Sequence, residues 1–197
     1  MNAPESDSAL LRAFVAVAVC DEVRHRLAEL QERLRRRGVR FAWVAPDNLH
    51  ITMAFLGDVP GTRLPELAAA LTAALTATRC FTAQIAGLGC FGPPRKPRVL
   101  WAGVTQGAEA LVSLEATVRH ALAGLGFRLE ARPFTPHLTL ARVRPGRLPP
   151  PEWPEILARF RNEAFGATPV DRVLLMRSQL RPEGPAYSLL HAVPLVG

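Results

Sequence analysis

The sequence predicts a mixed α+β fold, and two observations indicate this class. The hydrophobic pattern changes several times between a period of two, typical of strands, and a period of 3.6, typical of helices. The predicted strands occur singly and in pairs between helices, and no glycine-rich phosphate loop follows the first strand. A doubly wound nucleotide-binding fold therefore lacks its fingerprint, and an α+β arrangement is the better class.

In the first half of the chain, β-branched and aromatic runs predict strands, and leucines at helical spacing predict helices. We expect Asp21 to cap the first helix and Gly38 to end it. The predicted elements are a strand Arg12–Val19, a helix from Asp21 to Arg37, strands Arg40–Val44 and Leu49–Phe55, and a helix Pro65–Thr78.

The second half continues the same alternation of strands and helices, with a basic loop Arg95–Arg98 between its first two strands. Its predicted elements are strands Phe81–Phe91 and Arg98–Val104, a helix Gly107–Leu125, a strand His137–Val143, a short helix Glu155–Arg161, and closing strands Val170–Arg177 and Tyr187–Val193.

The composition is that of a soluble globular protein with a strong positive charge. The 197 residues suffice for one domain or two small lobes, and the formal net charge is +7 at a sequence pI of about 10.8. Lys96 is the only lysine, so nearly all of the positive charge is arginine. Charge alone leaves two readings open: solvated arginines on helix faces, or a phosphate-rich partner.

The same survey predicts a cytoplasmic protein with no membrane partner. No apolar run reaches the ~18–20 residues that a membrane span needs. Residues 1–8 are acidic and polar, unlike the basic start of a secretory signal, and we expect them to be flexible. Cys20, Cys80 and Cys90 form no CxxC pair, which indicates a reducing compartment and no zinc knuckle.

One sequence pattern occurs twice. His50–Ala54 and His137–Ala141 both read His-aliphatic-Thr-aliphatic-Ala, and each follows a proline-containing turn. Residues i and i+2 of a strand share a face, so each histidine lies beside its threonine while the aliphatic residues point into the core. A single copy would suggest a half-buried structural histidine. Two matched copies, related by an approximate two-fold axis, would place both polar faces on one central cleft.

Two imidazoles and two hydroxyls suit displacement at phosphorus. One neutral histidine can act as the base and one protonated histidine as the acid on opposite sides of the phosphorus, while the threonine hydroxyls hold the phosphoryl oxygens. A strained cyclic phosphate needs no metal in this chemistry. Metal binding is the competing use of two histidines, but neither motif has a carboxylate or thiol at i+2 or i+4. A serine nucleophile lacks its Gly-x-Ser-x-Gly elbow.

With its pair of His-x-Thr motifs the sequence resembles the two-histidine (2H) phosphoesterase superfamily. Within it, the sequence is most similar to the RNA 2′,3′-cyclic phosphodiesterases, also called 2′-5′ RNA ligases. The resemblance runs in order along essentially the whole chain. The matching segments are 12–17, 43–57, 98–104, 134–142 and 177–187.

The resemblance implies a single bilobal domain over residues 1–197, with two pseudo-symmetric lobes, each an antiparallel sheet backed by helices, and the active-site cleft between them. It implies hydrolysis of a terminal RNA 2′,3′-cyclic phosphate to a 2′-phosphate without a cofactor or metal, and possible reversal as ATP-independent 2′-5′ ligation. The residue roles that it implies are His50 as proton donor, His137 as proton acceptor, Thr52, Thr139 and Arg142 as phosphate ligands, and Phe14 as a nucleobase contact.

Two further expectations concern the position of Arg142 and the identity of the substrate. Strict alternation puts Arg142 on the face opposite His137, so Arg142 can reach the phosphate only where the strand twists, bulges or ends. The expected partner of this monomeric enzyme is RNA with a cyclic phosphate end. The alternatives are a small cyclic phosphate, such as ADP-ribose 1″,2″-cyclic phosphate or a 2′,3′-cyclic nucleotide, and a non-catalytic protein that binds RNA ends.

Overall fold

The computed structural model describes residues 9–93, 95–182 and 184–197, so the expected flexibility of residues 1–8 lies outside it. The described residues form nine strands and four α-helices. The strands are β1 (Leu10–Ala18), β2 (Ala42–Trp43), β3 (His50–Pro60), β4 (Phe81–Phe91), β5 (Val99–Val104), β6 (His137–Arg142), β7 (Ala164–Val170), β8 (Arg172–Arg181) and β9 (Gly184–Pro194). The helices are α1 (Asp21–Arg36), α2 (Leu64–Leu75), α3 (Ala108–Gly124) and α4 (Trp153–Arg159).

The strands form one sheet with the order β7-β4-β5-β6-β3-β1-β8-β9, and neighbouring strands pair antiparallel. This order divides into two halves of four strands. Each half begins with one His-x-Thr strand, β3 in one and β6 in the other, and the two halves meet through the pair Ile51–Leu138. Strand β2 pairs with the far end of β6, where β3 has diverged. The predicted α+β class and the two related halves are therefore confirmed.

Helices cover one face of this sheet and bury its apolar side chains. Helix α3 packs against β3 and against α2, α2 also contacts β9, and α1 packs against β7. Ile51 and Leu138, at the junction of the halves, are fully buried in a core that extends through both halves. Because the apolar residues of β3 and β6 point into this core, their polar neighbours are left on the opposite face.

The start of α1 differs from the prediction that Asp21 caps it. Cys20 occupies the N-cap position: its carbonyl accepts the first helical hydrogen bond from the Arg24 amide at 3.0 Å. The Cys20 amide donates to the hydroxyl of Thr168 on β7 at 2.9 Å. Asp21 lies within the first turn, where its carboxylate pairs with Arg24 at 2.8 Å. The tertiary contact with β7, which local sequence does not reveal, holds Cys20 at the cap.

The sequence pattern does not predict strand β7. Its sequence contains Gly166 and Pro169, residues that are depleted from strands. In the structure β7 is an edge strand that pairs only with β4 among the described residues, so the missing amide of Pro169 is tolerated. Gly166 adopts a φ of 109°, at an irregularity in the pairing.

Of the helices that the structure describes, none is both long enough and apolar enough to cross a membrane.

Candidate active site

The two His-x-Thr strands cross at the middle of the sheet. The pair Ile51–Leu138 fixes their antiparallel register, which sets His50 across from Thr139 and Thr52 across from His137. All four polar side chains lie on the face opposite to Ile51 and Leu138. The structure therefore brings the predicted histidines and threonines together on the helix-free face of the sheet.

Both histidine rings are held in the same way. Nδ1 of His50 lies 2.7 Å from the carbonyl oxygen of Asn48, and Nδ1 of His137 lies 2.7 Å from the carbonyl oxygen of Thr135. A carbonyl oxygen only accepts hydrogen bonds, so each Nδ1 carries a proton and donates it. Each neutral ring therefore presents an unprotonated Nε2, and the two rings are equivalent in tautomer.

A β-bulge explains how Arg142 joins these residues. Trp101 of β5 pairs with Thr139 whereas Leu100 pairs with Ala141, so Leu140 is an extra residue in β6. Leu140 and Ala141 are consequently both buried, and Arg142 emerges exposed on the face of His137 and Thr139. The expectation that a bulge, twist or strand end must reposition Arg142 is confirmed.

The first motif contains the same irregularity, which the sequence did not reveal. Val15 of β1 pairs with Ala54 and Ala16 pairs with Thr52, so Met53 is the extra residue. Both strands show the same burial order over the six residues from each histidine. Phe55 therefore occupies the position in β3 that Arg142 occupies in β6, and its side chain is 60% exposed.

Aromatic rings surround each histidine. The His50 ring lies 5.0 Å from the ring of Phe14 and 5.4 Å from the ring of Tyr187, measured between centroids. The His137 ring lies 4.8 Å from Phe91 and 6.3 Å from Trp101. These rings contribute to the partial burial of each imidazole, and burial strengthens electrostatic interactions at the site.

The electrostatics link the histidines with Arg142. Burial lowers the pKa of His50 below its usual 6.5, and the charges of His137 and Arg142 lower it further, against the hydrogen bond to Asn48. Burial likewise lowers the pKa of His137, and Arg142 adds to this effect against the hydrogen bond to Thr135. Both histidines respond to the same guanidinium, so the three groups act within one site. At neutral pH the free protein holds both rings in the neutral form.

A cavity of about 420 Å³ adjoins the His50 side of the site. Its walls include Arg12, Phe14, Phe55, Arg142 and Tyr187. Phe14 contributes only an edge, since the residue is 4% exposed, whereas Phe55 projects into the opening. Two arginines and exposed aromatic surface suit an anion that carries a planar ring.

Sequence reasoning missed four residues of this site: Phe55, Phe91, Trp101 and Tyr187. For Phe55 a signal existed, because it stands at the same place after its motif as Arg142 does after the other. The aromatic residues Phe91, Trp101 and Tyr187 come from neighbouring strands, and only the pairing of those strands places them beside the histidines. No group of three or more His, Cys, Asp and Glu side chains suited to a metal ion occurs among residues 9–93, 95–182 and 184–197.

The family model described as LigT-like phosphoesterase matches residues 17–101 and residues 103–187 of this chain. Each matched segment contains one His-x-Thr strand. The chain is 32% identical to the RNA 2′,3′-cyclic phosphodiesterase of Thermotoga maritima over 187 residues, which cover 95% of this chain and 97% of the relative. It is 36% identical to the protein of the same name from Archaeoglobus fulgidus over 178 residues, or 90% of this chain and 96% of that relative.

Solved structures show the same fold. The crystal structure of TT0787 of Thermus thermophilus superposes with a TM-score of 0.76 at 33% identity, covering 94% of this chain and 98% of that one. LigT of E. coli in its apo form superposes with a TM-score of 0.75 at 25% identity, covering 96% of this chain and 100% of the other. The chain belongs to the LigT-like phosphoesterases, a phosphodiesterase family of the two-histidine superfamily.

Proposed function

We propose that this protein hydrolyses the terminal 2′,3′-cyclic phosphate of RNA to a 2′-phosphomonoester, by general acid–base catalysis that needs no metal. The observation that carries the proposal is the crossing of β3 and β6, which puts two equivalent His-Thr pairs on one face of the sheet. The name shared by the relatives from Thermotoga maritima and Archaeoglobus fulgidus supports the substrate. One histidine comes from each half, so we propose that the chain works as a single bilobal domain.

In the proposed reaction, His137 accepts a proton from water through Nε2, and the water oxygen attacks phosphorus. The bond from phosphorus to O3′ breaks as the new P–O bond forms, and His50 delivers a proton to O3′. The phosphate remains on O2′, and both rings exchange protons with water to return to their starting states. The diagonal arrangement of the histidines across Ile51 and Leu138 supports opposite positions for nucleophile and leaving group.

Thr52, Thr139 and Arg142 are proposed to hold the phosphoryl oxygens. In the part of the chain that the structure describes, neither threonine hydroxyl has a hydrogen-bond partner, so both are available to a ligand. The Arg142 guanidinium offers paired donors for two phosphoryl oxygens and neutralises the charge that grows on them during attack.

The acid must be protonated before it can act. Both histidines are neutral in the free protein near pH 7, because burial and Arg142 lower their pKa values. A bound phosphodiester brings a negative charge beside His50, and this charge favours the imidazolium form. Substrate binding is therefore proposed to charge the donor, while His137 stays neutral as the base.

The same geometry accommodates 2′-5′ ligation. If the 5′-hydroxyl of a second RNA replaces water as the nucleophile, the bond from phosphorus to O3′ breaks as before. The product is a 2′-5′ phosphodiester, formed without ATP because the cyclic phosphate supplies the strain energy.

Phe14 and the exposed Phe55 are proposed to contact the terminal nucleobase. The monomeric state and the cytoplasmic location stay predictions.

The decisive experiment incubates a cyclic-phosphate-ended RNA with the protein in EDTA and identifies the terminal phosphate of the product. A 2′-phosphate supports the proposal, and His50→Ala and His137→Ala should each lower kcat by about 10²–10⁴-fold. A 3′-phosphate would reverse the assigned direction of attack. Tight RNA binding without turnover would favour a protein that only binds RNA ends, and turnover confined to a cyclic mononucleotide would favour a small substrate.

A further inference from the structure

A second cavity lies beside the far end of β6, outside the cleft. It measures about 370 Å³, a size that admits a nucleotide-sized ligand. We name it the basic pocket and define it by its main lining residues: Arg35, Arg40, Phe41, Trp43, Arg144 and Arg147. The pocket thus combines four guanidinium groups with two aromatic rings. Arg35 comes from α1, and the other lining residues come from the segments around β2 and after β6.

The positive charge of the basic pocket is largely uncompensated. Arg35 lies 3.4 Å from the carboxylate of Glu32. Among the described residues, Arg40, Arg144 and Arg147 have no carboxylate within 4.0 Å. Like charges gathered in one cavity repel one another, and a polyanion that enters it offsets this repulsion.

The aromatic component points to the class of anion. The guanidinium of Arg35 lies over the Trp43 ring at 5.1 Å from its centroid, and the Phe41 ring lies 6.2 Å from Trp43. A guanidinium plane supported by an indole is a surface on which nucleobases stack. Single-stranded nucleic acid is bound by this combination of basic groove and stacking surface.

The basic pocket lies next to the strand that carries Arg142 of the catalytic cleft. Ala42 and Trp43 pair with Arg142 and Ala141, so β2 lies beside the residue that lines the cleft. Arg144 follows Arg142 by two residues, a span of about 7 Å in an extended chain. Arg142 in the cleft and Arg144 in the basic pocket are therefore near neighbours along the chain, although the two cavities share no lining residue.

We propose that the basic pocket binds the sugar–phosphate backbone of the RNA strand next to its cyclic phosphate end, so that the preferred substrate is an oligonucleotide. This inference rests on the proposed function, because it assumes that the terminal phosphate occupies the cleft. The remaining part of the strand gains phosphate contacts with Arg144 and Arg147, and these contacts add affinity that a mononucleotide cannot obtain.

The test compares wild type with the double variant Arg144→Ala/Arg147→Ala on two substrates. One is a single-stranded RNA of about ten nucleotides with a cyclic phosphate end, and the other is a nucleoside 2′,3′-cyclic phosphate. We expect kcat/KM on the RNA to fall on the order of tenfold at low salt, and its logarithmic salt slope to shrink by about 0.7 per arginine. The value for the mononucleotide should not change.

A matched control removes the same charge elsewhere. Arg26 and Arg79 are exposed and line neither cavity, so Arg26→Ala/Arg79→Ala should leave both substrates and the salt slope close to wild type. An equal loss on both substrates in the pocket variant would overturn the inference, because it would place these arginines in the cleft. No loss on either substrate would overturn it as well.

A failure of the proposed function gives a different result, since wild type would then open neither substrate or only the mononucleotide. Fluorescence anisotropy with a 3′-phosphorylated RNA of the same length tests the basic pocket in that case. Weaker binding and a smaller salt slope in the pocket variant, but not in the control, would support the inference. Equal affinity in all three proteins would overturn it.

Discussion

Phe55 and Arg142 occupy equivalent positions in two copies of one bulged strand. Each is the fifth residue after its histidine, and each follows an extra residue, Met53 or Leu140, that resets the alternation of the strand. Both side chains are exposed and line the cavity of the cleft. The repeated backbone therefore supports two unlike side chains, so the charge at the site comes from one half and an apolar ring from the other.

Arg142→Ala should lower kcat/KM by about 10²–10³-fold, because the guanidinium is proposed to stabilise charge on the phosphoryl oxygens in the transition state. The same variant should alter the pH profile. Arg142 lowers the pKa of His50 and of His137, so its removal should move both limbs of the kcat/KM profile to higher pH. Steady-state kinetics between about pH 4 and 9 would measure both effects.

Arg12→Ala is the matched control for this prediction. Arg12 lines the same cavity and carries the same charge, but its influence falls on the pKa of Tyr187 and not on the histidines. The control should leave the limbs of the profile in place. Equal displacement in both variants would show that Arg142 acts only through the general potential of the cleft.

The wild-type pH profile follows from the histidines themselves. The kcat/KM profile reports the free protein, in which one group of the pair must be protonated and the other neutral. Burial lowers both pKa values below 6.5, so the maximum of kcat/KM should lie below pH 6.5 and activity should fall as the pH rises above it. In kcat the falling limb should appear at higher pH, because the bound phosphate raises the pKa of the donor. A kcat/KM maximum above about pH 7 would contradict this assignment.

The sequence was sufficient to predict that the histidines and threonines share one face, because the motif is local. A strand with polar residues at i and i+2 and aliphatic residues between them has only one orientation that buries the aliphatic side chains in the core. Both copies of the motif adopt this orientation. For Arg142 the sequence predicts only that it reaches the phosphate where the strand twists, bulges or ends. Whether a bulge forms depends on the pairing with the partner strand β5. Trp101 and Tyr187 depend wholly on non-local pairing. Gln31 illustrates the same limit, because its side chain is 0% exposed and its hydrogen-bond partners, Val44 and Leu140 of β6, are distant in sequence.

Gly89→Ala should displace Trp101 and weaken catalysis. Gly89 pairs with Trp101, and the indole ring lies where a β-carbon on residue 89 would stand. The ring would have to move from its place beside His137 and opposite Thr139. We expect kcat/KM to fall about tenfold or more and the free energy of unfolding to fall by about 1–3 kcal/mol. Tryptophan fluorescence would report the displacement of the ring.

Gly124→Ala makes the same chemical change in open space. This glycine ends α3, and a β-carbon there meets nothing within 4 Å. It should leave kcat/KM unchanged and raise stability slightly, because alanine favours the helical backbone. If Gly89→Ala behaves like this control, the position of Trp101 has no part in the site.

Gln31→Leu should destabilise the protein and disturb the bulge of β6. The buried side chain of Gln31 donates through Nε2 to the carbonyl oxygens of Val44 at 2.9 Å and Leu140 at 3.1 Å, so it connects α1 to β6 at the extra residue. The Leu140 oxygen keeps a hydrogen bond from the Val44 amide in the variant, but the Val44 oxygen loses its Gln31 donor. We expect a loss of about 1–3 kcal/mol in the free energy of unfolding, measured by urea denaturation.

Gln31→Glu separates hydrogen bonding from packing, since it preserves the shape of the side chain. The buried carboxylate cannot donate to either carbonyl, whereas the protonated carboxyl group can donate to one. Burial would raise the pKa of this carboxyl group in the folded protein. The free energy of unfolding of the variant, relative to wild type, should therefore recover as the pH falls from about 7 to about 5. Gln106→Leu, at an exposed glutamine, should change stability little. If the difference in the free energy of unfolding between Gln31→Glu and wild type does not change with pH, the two hydrogen bonds do not hold the bulge. In that case kcat/KM should be unaffected as well.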